Sequence, residues 1–456
     1  MIQICFGSQH REKQAERRSQ PLLTFDFCVL TFALYFRRLF LRVRKNLGNR
    51  QSPPLLPFDI CLLTFAFPTC LLPTAYCLLC LFAAPTLAQE PKPYAVISRD
   101  AVNFNGPGRD AGHDLAGAEI RLGMLAPLAG PRQAEGEALR RAAQMAIEDE
   151  DAASLPGGRR LSLIVRDETG PWGRASAQIV HLVFDDQAVA LITSAEGDAA
   201  HLAEQVGNKI GVPILTLSTD STTTEINLPW IFRMGPNDSE QAQAFARDIY
   251  LKRRLRRVVL LSQNDRDGRL GGEAFTKAAG EMNAIAPTQI VVDPEKFSEA
   301  TIGEQLHTAQ AVVIWADAPT ARRLAARVRE VQPTVPIYLC RKAAEDDSNS
   351  ASPLSGPANG KGNADSWIAA APENAKARAD FNQRYQRRFG VEPGIGASQA
   401  YDAVRILAAT LRQSGPNRAR LRDALGQVSA YPGASGVISF DHAGNDTSQL
   451  ALSKLR

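Results

Sequence analysis

Beyond residue 88 the chain has a single cysteine, Cys340; Cys5, Cys28, Cys61, Cys70, Cys77 and Cys80 all come earlier. One thiol cannot close an internal disulfide, so the body is not stapled by them. The cysteines from 61 to 80 stand among Leu, Phe and Pro without paired ligand spacing, which reads as apolar filler and not as a zinc site. Catalytic signatures are missing too. There is no Gly-x-Ser-x-Gly elbow, no phosphate-binding Walker loop and no His-Glu-x-x-His pair. His10, His113, His181, His201, His307 and His442 are scattered and none adjoins a cysteine. His181, His201 and His307 fall in predicted helices, as solvated or core-edge side chains. Gly106, Gly108 and Gly112 follow no strand and lack dinucleotide spacing, and Gly394-Ile-Gly396 opens a helix. The chain therefore offers no catalytic constellation, no metal site and no cofactor motif.

An excess of charge is absent as well. The formal net charge is +4, but residues 1–88 hold 10 basic and 4 acidic side chains of the 52 and 48 in the whole. The remainder carries 42 basic and 44 acidic groups, a balance that gives no electrostatic footprint for nucleic acid. The basic run Lys252, Arg253, Arg254, Arg256 and Arg257 ends a predicted helix, where the dipole favours cations.

The first 88 residues differ from the rest. No charged side chain lies between Ile60 and Ala88, basic residues from Arg37 to Arg50 precede that stretch, and Ala-Ala-Pro-Thr-Leu-Ala88 closes it. This is the pattern of a secretory signal cleaved near Ala88, which places the mature chain outside the cytoplasm. Pro68, Pro73 and Pro85 argue against a permanent spanning helix. Upstream, the segment from Pro21 to Ala33 is nearly repeated from Pro54 to Ala66. It reads as translated upstream DNA ahead of the true start, the rival being a membrane hairpin. Residues 89–118 lack periodicity and read as a linker.

From residue 119 onward short apolar runs alternate with helical patterns. Strands are expected at Ile120–Leu125, Leu161–Val165, Val189–Ile192, Val212–Leu217 and Trp230–Arg233. A second series follows at Val258–Leu261, Gln289–Val292, Ala311–Trp315 and Ile337–Leu339, and a last strand at Gly436–Phe440. Helices are expected between them and at Ala375–Phe389, Ser398–Arg412 and Arg418–Val428. Glu345–Asn363 is a low-complexity surface excursion. Such alternation means right-handed crossovers and doubly wound parallel sheets, an α/β fold. In that fold the pocket lies outside the carboxyl ends of the strands. The loops there carry hydroxyls at Ser218, Thr219 and Ser221–Thr224 and carboxylates at Glu135, Asp198, Asp220, Asp267 and Asp317. Hydroxyls and free helix N–H groups suit a ligand carboxylate, and the same residues also cap helices.

The order of motifs resembles the periplasmic leucine/isoleucine/valine-binding protein family, the type I solute receptors of ABC importers. The resemblance rests on Leu125-Ala-Pro-Leu-Ala-Gly-Pro131 through Glu135-Gly136, on Gly211-Val-Pro-Ile-Leu-Thr-Leu-Ser218, and on Phe232-Arg-Met-Gly-Pro-Asn-Asp238. Tyr401-Asp-Ala403 and Gly436-Val-Ile-Ser-Phe-Asp441 complete it, over residues 119–444. It implies two lobes joined by crossover strands and closing on a small solute. The first lobe would take 119–237 and 365–430, the second 238–364 and 431–456. It also implies a monomeric, non-enzymatic carrier that docks on an ABC permease in the membrane.

Set on that family's pattern, the first serine-bearing loop falls at Thr193–Asp198, so Gly197 or Asp198 stands for the usual hydroxyl. The threonine of the second hydroxyl loop, after Ser218 and Thr219, falls at Asp220. The aromatic pocket positions fall at Glu135, Asp267 and Asp317, and the ammonium-binding carboxylate falls near Arg341. The cleft would then be acidic with one arginine. Like charges about 4 Å apart repel by roughly 4 kcal/mol at an effective dielectric of 20, so such a cleft favours a cationic or amine-rich ligand: an amino acid, amide or polyamine. The alternative is a sensory or scaffold domain of the same fold that binds a protein partner through a body whose cleft has degenerated.

Overall fold

The computed structural model describes residues 106–150, 155–171, 173–225, 228–296, 302–344, 365–370, 374–448 and 450–455. The predicted signal segment and upstream repeat lie outside the described residues, as do most of residues 89–118 and the excursion after Ala344.

Two sheets organise the body. In the first, β1 (Glu119–Ala126) leads to α1 (Gln133–Glu148), β2 (Arg160–Asp167) to α2 (Arg174–Val180), and β3 (Ala190–Thr193) to α3 (Gly197–Ile210). Then β4 (Ile214–Thr216), the short α4 (Thr222–Glu225) and β5 (Ile231–Arg233) complete a five-stranded parallel sheet of order β2-β1-β3-β4-β5. Both faces are covered, so β3 and β4 are buried at every position.

The second lobe begins with α5 (Asp238–Ala246), whose Asn237 and Glu240 form a reciprocal capping box. Then come β6 (Val258–Gln263), α6 (Arg266–Glu281), β7 (Thr288–Val292), α7 (Gly303–Leu306), β8 (Ala311–Trp315), α8 (Ala318–Val331) and β9 (Ile337–Leu339). Next is β10 (Ser366–Ala370), which pairs in parallel with β9. The chain then returns to the first lobe with α9 (Ala375–Phe389), α10 (Ile395–Ser414) and α11 (Arg418–Leu425). Phe381, Tyr385, Val404, Leu407 and Leu421 join the core beneath β1 and β3. A small antiparallel pair, β11 (Tyr431–Pro432) with β12 (Val437–Ile438), stays on that lobe, and β13 (Ala451–Lys454) closes on β10.

Four sequence expectations are corrected here. Residues 365–370 belong to the second lobe, because β10 fills the edge beside β9. Residues 431–440 belong to the first, because Ala434, Ile438 and Phe440 are buried in its core. The expected strand Gly436–Phe440 shrinks to the two residues of β12, and the final strand is β13, antiparallel at the edge of an otherwise parallel sheet. Finally, the end of the expected linker is docked. Leu115 N–H donates to the Pro416 carbonyl at 2.9 Å, Arg109 pairs with Asp423 at 2.6 Å, and Arg420 pairs with Asp114 at 2.8 Å.

Candidate functional site

Four helices begin at the carboxyl ends of the strands and aim their N-termini into the groove between the lobes: α1 and α3 from the first, α6 and α8 from the second. Their free N–H groups and dipoles favour acidic residues in the first turn. Glu135, Asp198 and Asp267 occupy such positions.

Each acid has a specific setting. Arg132, on the turn before α1, holds Glu135 through paired bonds of 2.9 and 2.7 Å and also reaches Glu196 and Glu168. Glu168, at the end of β2, accepts from the Ser194 hydroxyl at 2.6 Å, while its Oε2 is buried without a hydrogen-bond partner. Burial pushes its pKa up to about 7, against the pull of Arg132. Asp220 accepts from the Thr222 N–H and hydroxyl, which starts α4, and turns its other oxygen toward His201 and Arg266. Those partners outweigh burial and hold its carboxyl well below the usual range. His201 is raised to about 9 by its bond to Asp220 and by Glu204. Asp267 is buried; its Oδ2 takes Lys342 and its Oδ1 has no hydrogen-bond partner.

Contacts across the groove shut it. Lys342, on the turn after β9, reaches Glu196 of the first lobe at 3.1 Å. Arg266, opening α6, donates to Asp220 at 2.9 Å and to Thr222 at 3.1 Å. The Gly197 N–H donates to Asp267 at 3.3 Å. Only glycine fits at 197: a Cβ there would lie 2.3 Å from Asp267 Oδ1 and 3.1 Å from Asp220 Oδ2. Glu196, between Lys342 and Arg132, is held down at about 2 although burial would raise it. The cavity left, lined by Thr219, Asp267, Trp315, Asp317 and Lys342 among others, leaves about 0 Å³ for the centre of a water-sized sphere. That is below the roughly 300–1,000 Å³ of ordinary small-ligand sites.

The sequence-predicted residues separate into groups. Glu135, Gly197, Asp220 and Asp267 meet at the groove. Thr219 lines the cavity, and its carbonyl accepts from Asp238 N–H at 2.8 Å; the Ser218 hydroxyl accepts from Asp220 N–H at 3.2 Å and shapes the loop. Asp198 sits at the rim, with a half-exposed side chain 3.9 Å from Arg266. Asp317 lines the cavity and is also the N-cap of α8, accepting from Thr320 N–H at 2.9 Å and from Gln263 at 3.0 Å. Arg341 turns away into a separate small cavity beside Gly235, Gln399 and Asp446, where the chain crosses between lobes. The expectation of an acidic cleft with one arginine is therefore corrected: its acids face Arg132, His201, Arg266 and Lys342. Sequence reasoning missed those four, together with Glu168 and Glu196. The signal for Lys342 was its place one residue beyond Arg341, and for Arg132 its place three residues before Glu135.

Two α/β lobes with polar strand ends around a groove define a solute-binding receptor. A periplasmic binding protein family model matches residues 119–452, and the chain belongs to that family. Its members are binding proteins, not enzymes. An amino acid binding protein of Pseudomonas aeruginosa is 25% identical over 177 residues, 39% of this chain; the chain spans about half of that relative, 46% of its length. A Leu/Ile/Val-binding protein of Rhizobium johnstonii is 21% identical over 339 residues, covering 74% of this chain and 91% of that one. A leucine binding protein structure from Thermotoga maritima superposes with a TM-score of 0.64 at 16% identity, covering 74% and 95% of the two chains, a likeness of fold.

Proposed function

We propose that the chain is an exported, monomeric receptor for an ABC importer, capturing an amine-bearing small molecule between its lobes and presenting it to a membrane permease. The observation that carries this reading is that, of the buried carboxylate oxygens without hydrogen-bond partners among the described residues, two stand on opposite sides of the groove, Asp267 Oδ1 and Glu168 Oε2. A buried unpaired acceptor is costly, and an ammonium relieves it. The relatives' names, an amino acid binding protein and a Leu/Ile/Val-binding protein, fit an amine-bearing solute. On this reading the ligand-facing residues are Glu135, Gly197, Asp198, Thr219, Asp220 and Asp267, with Glu168 and Glu196 added, while Ser218, Asp317 and Arg341 support the frame.

Thermal melts of the full-length protein with putrescine, leucine amide, leucine and benzoate test it. The two cations without a carboxylate should raise the melting temperature most, and benzoate should not. A ligand at 100 times its dissociation constant adds about 2.7 kcal/mol, a shift of several degrees. Micromolar binding of leucine with no response to either amine would defeat the reading. The scaffold alternative is favoured by one observation, the lack of room in the small cavity that Lys342 lines. It predicts no small-molecule shift at all and a stable protein partner in pull-downs.

A further inference from the structure

We propose that Lys342 is a tethered competitor: its ammonium fills the amine subsite between Glu196 and Asp267 and latches the cleft shut without a solute. The competition rests on the amine-binding reading above; the latch stands without it.

Lys342 leaves a rigid platform. The turn after β9 is fixed by the Arg341 N–H donating to Gln241 at 2.8 Å and by the Ala343 N–H donating to the Cys340 carbonyl at 3.1 Å. From there the side chain, 5% exposed, joins Asp267 of its own lobe to Glu196 of the other. Burial works against its charge, and Asp267 and Glu196 more than compensate. Glu196 keeps Arg132 if Lys342 leaves, whereas among the described residues Asp267 keeps one hydrogen bond, from the Gly197 N–H, and the more distant charge of Arg266. Withdrawing the lysine therefore strands a buried carboxylate, which a second cation can satisfy and a neutral or anionic solute cannot. The groove is too small for a solute while Lys342 fills it. Binding then draws only on the fraction of molecules in which the latch is released, and the apparent dissociation constant rises by the inverse of that fraction.

Hydrogen–deuterium exchange on the full-length protein reads the latch directly, because the Gly197 amide is bonded across the groove. Without solute, peptides covering 195–200 should exchange at least ten-fold faster in Lys342→Met than in the wild type, while those covering β8 stay unchanged. Glu196→Gln, which removes the other end of the bridge, should do the same and serves if Lys342→Met fails to fold. With putrescine as the probe, half-saturation should fall at least ten-fold in Lys342→Met. Equal protection in wild type and both variants would overturn the latch. Faster exchange with unchanged putrescine half-saturation would overturn the competition. Faster exchange with no putrescine response in any protein would support the latch and defeat the competition, together with the amine-binding reading.

Discussion

At the scale of single residues, Glu168 is a buried carboxyl pushed up to about 7. Its neighbours are Arg132, Ser194, Glu135 and Glu196. Its folded pKa, about 7, lies above the ordinary glutamate value of 4.5. Its stabilising contribution is therefore complete below about pH 4.5 and is lost as pH rises to about 7. Glu168→Gln should flatten that part of the pH–stability curve and raise the melting temperature at pH 8, measured by calorimetry from pH 4 to 8. A variant with the wild-type slope would show that the carboxyl is solvated. Charged residues were where the sequence was least legible. Arg132 and Lys342 drew no reading from the sequence because burial is set by what the fold brings opposite them. Glu196 and Lys342 are far apart in the chain, and no local pattern links them. The acids were more visible, since loop positions before helices are legible from Gly, Pro and hydroxyl spacing.

At the scale of elements, the strand–helix alternation carried most of the fold. Val258–Leu261, Ala311–Trp315 and Ile337–Leu339 stand where their apolar runs lie, because β6, β8 and β9 are buried on both faces and need unbroken hydrophobic side chains. Gly436–Phe440 has the same local look, yet only β12 forms, since it meets β11 and not a sheet. Edge strand β13, with its exposed and half-buried residues, gave no apolar signal. Asp317 illustrates one residue with two readings, a cleft acid and the N-cap of α8. Asp317→Ala should cost about 1 kcal/mol of stability through the lost cap. It should leave putrescine half-saturation within two-fold, as read by melts and titration on the same sample. A ten-fold loss of affinity would return Asp317 to the ligand set.

For the whole molecule, the working event on the proposed reading is the approach of two lobes, and Gly197 sits where they touch. The body belongs to a receptor family, and its chain crosses between the lobes near Gly235, after β10 and again before β13. Closure of this kind is two packed bodies turning about a few crossing residues, so one atom in the seam can block it without loosening either core. Gly197 has ordinary helical geometry at the start of α3, so alanine is tolerated by the backbone and excluded only by what faces it. In the closed form its Cβ would lie 2.3 Å from Asp267 Oδ1, and Lys342 and the Gly197 N–H anchor the other oxygen of that carboxylate. In an open form that contact does not exist. Gly197→Ala should therefore leave the unfolding midpoint of the unliganded protein within a few degrees of wild type and enlarge its radius of gyration in small-angle scattering. It should also lower putrescine half-saturation, as loss of Lys342 does, because the unliganded closed form that excludes the solute is the one penalised. Wild-type affinity and compactness would mean that Asp267 swings aside at no cost, and that the lobes meet without this contact.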